Sequence, residues 1–167
     1  DIVASQEELN HLKGVLYCAG FLVNKPFSEL DNEDWERIYK TNVFGIAQFT
    51  AQILKHTPLN REVRHLYIGS MGGYQGSAKF PGLAAYSSSK AALACMAECL
   101  AEEYKETKHS FNTLSIGAVQ TEMLEEAFPG YQAPVEPGEM AAFIYDLFKM
   151  NRLLFNGKNI PVSLSTP

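Results

Sequence analysis

The sequence predicts an α/β fold, a parallel sheet with helices on both faces. Three observations carry that expectation. Short apolar runs bounded by glycine or other small residues recur at residues 14–20, 64–70 and 111–117. Apolar residues at helical spacing fill the long intervals between them. The two patterns alternate along the chain, as they must when a crossover helix returns each strand to the same end of a sheet.

The totals agree with this and exclude several roles. A chain of 167 residues suits one compact domain with a real core. The net charge is −5, with no charged tail or basic stripe. Neither nucleic acid nor an anionic membrane surface is therefore an expected partner. No apolar run approaches the ~20 residues that span a bilayer, and no secretory leader is visible. The cysteines are Cys18, Cys95 and Cys99. Their odd number, without a C-x-x-C, argues against a disulfide framework or a metal site. Cys95 and Cys99 share a helix face and are expected to be small core residues. A reducing, cytoplasmic setting follows as the expectation.

Taken in order, residues 5–13 read as a short helix ending at Gly14. Residues 14–20 form a continuous apolar run, expected as a strand buried on both faces. Ala19 and Gly20 leave almost no side chain at its carboxyl end. That suits either a ligand close to the backbone or a plain turn. Asp31 is a good N-cap, with Glu33 and Asp34 in the first turn. Trp35, Ile38, Tyr39, Val43, Ile46, Phe49 and Ile53 then follow helical spacing. Asn42 falls on the same apolar face. A buried amide without partners costs about 1–3 kcal/mol. Asn42 therefore either makes a local structural bond, the reading favoured on this stretch alone, or faces a wet cavity. Gly45 loosens the helix one turn later.

Residues 64–70 read as a second strand ending in Gly69-Ser70. Ligands of open α/β sheets sit beyond the carboxyl ends of strands, which is where Ser70 lies; its alternative is to cap the local backbone. Residues 71–83 are glycine-rich and carry the turn signal Phe80-Pro81-Gly82. A long helix follows to about Lys105, with alanines (Ala91, Ala92, Ala94, Ala97, Ala101) that permit close packing. Residues 111–117 are a third strand. Residues 124–137 read as a helical turn and a loop long enough to be a lid. Met140, Phe143, Ile144, Leu147 and Phe148 form one stripe of a helix over 139–150. Asn156-Gly157 is a turn before a final strand, 158–164.

Within the long helix, Tyr86 and Lys90 lie one turn apart on the same face. An ammonium held near a phenol favours the phenolate and lowers a pKa that is otherwise near ~10. The pair suits general acid/base work, although most such pairs merely pack.

Together these residues resemble the short-chain dehydrogenase/reductase family over nearly all of the chain. Tyr17-Cys18-Ala19-Gly20 keeps the second half of its Asn-Asn-Ala-Gly motif. Asn42, within Thr41-Asn42-Val43-Phe44-Gly45, matches the family's helix-borne asparagine. Ser70 matches its catalytic serine, and Tyr86 with Lys90 its Tyr-x-x-x-Lys. Residues 112–121 match its later motif, with Ile116 in place of the usual proline. The Ser70–Tyr86 interval is slightly long, which suggests an insertion at 76–79 and makes Ser77 a weak competitor of Ser70.

The resemblance implies a Rossmann-like three-layer fold, here strands four to seven of the doubly wound sheet. It implies NAD or NADP as cofactor and a carbonyl or secondary alcohol as substrate. Tyr86 would exchange the proton. Lys90 would lower the phenol's pKa and hold the nicotinamide ribose. Ser70 would bond the substrate oxygen, and Asn42 a water leading to Lys90. Ala19, Gly20, Gly117, Val119 and Thr121 would line the cofactor. A homodimer or homotetramer through the helices at 34–55 and 84–104 is expected, and the apolar lid points to a hydrophobic or medium-sized substrate.

The family's glycine-rich phosphate loop would lie before residue 1, and Asp1-Ile2 resembles the end of its third strand. Without a first strand, the strand near residue 15 becomes an apolar edge open to pairing. The expectation is a longer polypeptide, with about fifty further residues. Two rival readings are a non-catalytic fragment serving binding or assembly, and a relative with epimerase or dehydratase chemistry.

Overall fold

A computed structural model describes residues 9–150 and 154–164. Four strands, β1 (Gly14–Tyr17), β2 (Val63–Ile68), β3 (His109–Ile116) and β4 (Lys158–Val162), form one sheet in the order β1-β2-β3-β4. All three pairings are parallel. Of the helix expected over 5–13, residues 5–8 lie outside the described residues; Leu9 is helical and Asn10 and His11 form a turn.

The next expected helix is split in two. Asp31 opens α1 (Asn32–Tyr39) with a capping box: its carboxylate accepts from Asp34 N at 2.8 Å. A π-helical turn, Lys40–Gly45, then separates α1 from α2 (Ile46–His56). A π turn inserts an extra residue, and such turns gather at functional sites. Here it carries Asn42 inward while Ile38 and Ile46 keep their places in the core. The remaining helices are α3 (Ala84–Glu103), α4 (Glu122–Ala127) and α5 (Pro137–Lys149).

Both faces of the sheet are covered, which gives the expected three layers. On one face Tyr17, Tyr67 and Phe111 pack against Ile46, Leu93, Ala97 and Ala101. The alanines let α3 lie close to the strands. On the other, Leu66, Leu114 and Val119 pack against Met140 and Ile144 of α5. Each fully buried large side chain contributes about 1.5–3 kcal/mol.

Three expectations need correction. Cys95 and Cys99 are exposed, because the inward row of α3 is Leu93, Ala94, Ala97 and Ala101. Phe143 is 44% exposed, so the buried stripe of α5 rests on Met140 and Ile144. β1 is not buried on both faces: Leu16 is 39% exposed, since β1 pairs only with β2 among the described residues.

The α3 side of the sheet also holds a polar chain that periodicity did not announce. Tyr17 Oη lies 2.8 Å from His65 Nδ1, and His65 Nε2 lies 3.1 Å from His109 Nδ1. His109 Nε2 reaches the Pro58 carbonyl at 3.4 Å. Burial holds His65 down to about 3 and pushes Tyr17 up to about 12, so both are neutral. A neutral imidazole has one donor and one acceptor. The Pro58 carbonyl can only accept, which sets every proton: His109 donates to Pro58, His65 to His109, and Tyr17 to His65. Thr50 Oγ1 donates to the Ile46 carbonyl and sits 3.2 Å from Tyr67 Oη.

Candidate active site

The site is built where β2 meets the start of α3. β2 ends at Ile68, and Gly69 follows because a Cβ there would sit 2.7 Å from Thr113 Cγ2. Ser70 then caps a 3-10 turn, Met71–Gly73, by accepting from Gly72 N at 3.1 Å. The turn presses on α3. A Cβ on Gly73 would lie 2.7 Å from Ala91 N and 2.8 Å from Lys90 C. Only glycine permits that approach, which sets the Ser70 hydroxyl close enough to the Tyr86 phenol to draw its pKa down.

Tyr86 is 8% exposed and Lys90 3%. Lys90 Nζ donates to the Ile68 carbonyl at 2.9 Å and lies 5.8 Å from the Tyr86 ring centroid. Burial lowers the amine to about 8, with Cys18 as a weaker opposing influence. Burial also raises the Tyr86 phenol, and the Ser70 hydroxyl pulls it back. The expected dominance of Lys90 over the phenol therefore does not hold in the ligand-free protein. The amine is turned to the strand carbonyl.

Asn42 is fully buried and its amide is well used. Oδ1 accepts from Phe21 N at 2.7 Å, while Nδ2 donates to the Phe21 carbonyl and to Ser89 Oγ, both at 2.9 Å. Ser89 Oγ donates in turn to the Tyr86 carbonyl at 2.7 Å. Asn42 thus clamps the loop after β1 to α3 at Ser89. That clamp is the local structural bond, although it holds the walls of the cleft. Gly20 lies in the same place: a Cβ there would be 3.5 Å from Lys90 Nζ, 3.8 Å from Met123 Cε and 4.0 Å from Asn42 Oδ1.

Ser77 belongs to its own loop. Its hydroxyl bonds the Met71 and Tyr74 carbonyls, and Lys79 Nζ donates to it at 2.7 Å. The remaining candidates lie along the chain leaving β1 and β3. Ala19 is exposed. Gly117 is required by the chain after β4, since a Cβ would lie 2.6 Å from Ser163 Oγ. Val119 is a core residue. Thr121 caps α4, accepting from Leu124 N at 3.3 Å. Their side chains are engaged in packing or capping, so what they can offer a ligand is backbone. A half-open cavity of about 550 Å³ adjoins Gly117, between the lid residues Tyr131 and Pro134, α5 and the end of β4.

Sequence reasoning missed Phe21, Ser89, Met123 and the Gly72-Gly73 pair. The pair carried a usable signal, a glycine doublet directly after a strand-end serine. The others did not, because their roles depend on contacts distant in sequence.

The family model for short chain dehydrogenase matches residues 2–132. A 3-oxoacyl-(acyl-carrier-protein) reductase of Aggregatibacter actinomycetemcomitans is 32% identical over 117 residues, covering 70% of this chain and 47% of the relative. An L-2,3-butanediol dehydrogenase of Corynebacterium glutamicum is 31% identical over 121 residues, covering 72% and 46%. The chain spans about half the length of these curated relatives. A short chain dehydrogenase of Salmonella enterica superposes with a TM-score of 0.79 at 24% identity, covering 95% of this chain and 70% of that one. The fold is therefore the Rossmann-like α/β arrangement, and the chain belongs to the short-chain dehydrogenase family.

Proposed function

We propose that this chain carries the catalytic half of an NAD(P)(H)-dependent oxidoreductase acting on a carbonyl or a secondary alcohol. The observation that supports it most is Lys90: a buried amine with one hydrogen bond among the described residues, beside a residue without a side chain. An ammonium has three donors. The unused ones, next to the partly exposed and side-chain-free Gly20, fit the hydroxyls of a nicotinamide ribose. A solved relative from Escherichia coli is described as complexed with NADPH, and a 4-hydroxyisoleucine dehydrogenase as complexed with NADH.

The bound cofactor would supply the hydride. The chain's own residues do the rest. Tyr86, its phenol raised by burial, carries a proton at neutral pH and gives it to the oxygen of a carbonyl under reduction. Ser70 donates its one hydrogen bond to that oxygen. Lys90 binds the ribose, and its charge favours the same phenolate. Asn42 positions: through Phe21 and Ser89 it fixes Gly20 on one side and Tyr86 on the other. Ala19, Gly117, Val119 and Thr121 line the cofactor through backbone groups. The apolar lid suits a hydrophobic or medium-sized substrate.

We also place the enzyme in the cytoplasm as a homodimer or homotetramer. α2 and α3 show Phe49, Cys95 and Cys99 outward, and the π turn before α2 shows Phe44. Among the described residues no helix is long and apolar enough to cross a membrane. A species that sediments as a monomer at all concentrations would contradict the oligomer.

The deciding experiment titrates NADH and NADPH against the complete polypeptide, with Tyr86→Phe alongside. Retained cofactor binding with turnover lowered about 10²–10⁴-fold is expected. Absence of binding would favour the assembly-module reading.

A further inference from the structure

We propose that Asn24 is the latch that holds residues 120–135, which take in most of the lid expected over 124–137 and the residues leading into it, over the Tyr86–Lys90 cleft. This deepens the reading of the cleft as the active site and gives the lid a named hold. Among the described residues, the hydrogen bonds of the lid close on one another. Thr121 Oγ1 accepts from Leu124 N, Glu125 from Gly130 N, Gln120 Oε1 from Ala133 N, and the Val135 carbonyl from Gln120 N. The exception is the carbonyl of Ala127, the last residue of α4, which accepts from Asn24 Nδ2 at 2.9 Å.

Asn24 is held ready for that bond by its neighbours. Lys25 N donates to the Gly82 carbonyl at 3.1 Å. Gly82 has φ +82°, and a Cβ on it would overlap Asn24 Oδ1. The amide therefore lies flat on the glycine with its oxygen confined and its nitrogen turned to α4. Four residues earlier, the same loop passes Gly20 over Lys90, and Phe21 is clamped to Asn42. Met123, from the first turn of α4, reaches Gly20: its Cε is 3.8 Å from where a Cβ would stand there. All three crossover loops of the strand ends meet at Asn24, and one of them carries the lid. Such loops open and close around bound ligands, and their motion often limits turnover.

Asn24 touches neither Tyr86 nor Lys90 in any contact found, so it is a positioning residue. Its loss changes capture and release and leaves proton transfer alone. Hydrogen exchange at residues 122–128 in the ligand-free complete polypeptide tests the latch without reference to activity. Asn24→Ala is expected to speed that exchange roughly three- to tenfold, the equilibrium weight of one ordinary hydrogen bond. Amides of β2 and β3 keep their rates and report that the fold is intact. Asn24→Asp, the same shape without a donor, is expected to match Asn24→Ala. Unchanged exchange in Asn24→Ala, or native exchange in Asn24→Asp, overturns the latch. In turnover, the latch predicts a raised KM, a kcat that does not fall, and an unmoved pH profile. A kcat loss with shifted pH dependence overturns it as well. If the parent protein turns over no carbonyl substrate with either cofactor, the oxidoreductase reading fails, and exchange alone still decides the latch.

Discussion

Two groups of buried polar side chains lie on the α3 side of this sheet, and they differ in how completely they are partnered. In the Tyr17–His65–His109 chain, every nitrogen and hydroxyl has a neighbour, ending on a backbone carbonyl. At the strand ends, Lys90 has one acceptor for three donors, and Tyr86 has Ser70 beside it. Both groups are deeply buried and both have displaced pKa values. Displacement alone therefore does not mark function. Unused hydrogen-bonding capacity beside partly exposed backbone, as Lys90 has at Gly20, is the better mark.

The sharpest way to break this contrast is to remove one member from each group. Lys90→Met takes a poorly solvated amine out of the site. Turnover is expected to fall at least 10²-fold, while stability rises by about 1–2 kcal/mol, because burying the charge costs more than one hydrogen bond returns. His65→Leu leaves Tyr17 and His109 without their shared partner. It is expected to cost about 2–4 kcal/mol and to leave nucleotide affinity unchanged. Urea unfolding and cofactor titration of both variants check this. Equal destabilisation by the two would end the distinction.

Gly73→Ala acts on the frame of the site. The new methyl meets helix backbone at Lys90 and Ala91, which cannot swing aside as a flexible side chain would. The turn must lift, taking Ser70 from Tyr86. A loss of about 1–3 kcal/mol, as for overpacked interiors, with a tenfold or greater fall in kcat, is expected. Native kcat in a variant of measurably lower stability would mean that Ser70 does not need this turn.

The two groups also separate by pH. His65 is held down from 6.5 to about 3. Between those values the unfolded chain binds a proton that the folded chain refuses, so stability falls as pH drops through that window. The slope approaches about 1.4 kcal/mol per pH unit. Lys90 is held down from 10.5 to about 8. Its sign is the same and its window different: stability rises as pH climbs from 8 to 10.5. Lys90→Met should flatten the upper rise and leave the lower fall intact, as read by denaturant midpoints across pH. A variant that flattens both ends would show the groups to be coupled.

What could be read from the sequence divides along the same line. The parallel sheet was legible because buried strands need apolar runs, and the runs end in Tyr17, Ile68 and Ile116 much where expected. The Tyr86–Lys90 pair was legible because its spacing is a helix turn. Asn42 was legible as a problem, an amide on an apolar face, but not as a clamp, since its partners Phe21 and Ser89 are 21 and 47 residues away. The histidine chain was invisible for a related reason. His65 and His109 sit within runs that read as strand whatever the histidines do, and only the β2–β3 register brings them together. Cys95 and Cys99 were misread because spacing fixes which residues share a face, not which face turns inward.

Thr113 offers the smallest test and a control for the whole contrast. Its hydroxyl lies on β3 and is the one buried side-chain polar atom without a partner among the described residues. Gly69 presses on its methyl, leaving that side of the residue closed. By the rule drawn above, unused capacity suggests function only beside partly exposed backbone, and Thr113 is fully enclosed. Thr113→Val keeps the shape and deletes the orphaned hydroxyl. It is expected to raise stability by about 0.5–1 kcal/mol, since replacing an unsatisfied buried polar group removes its desolvation cost, and to leave kcat and KM unchanged. Loss of turnover in this variant would show that an enclosed, unpartnered hydroxyl also serves the site, and that openness was the wrong criterion.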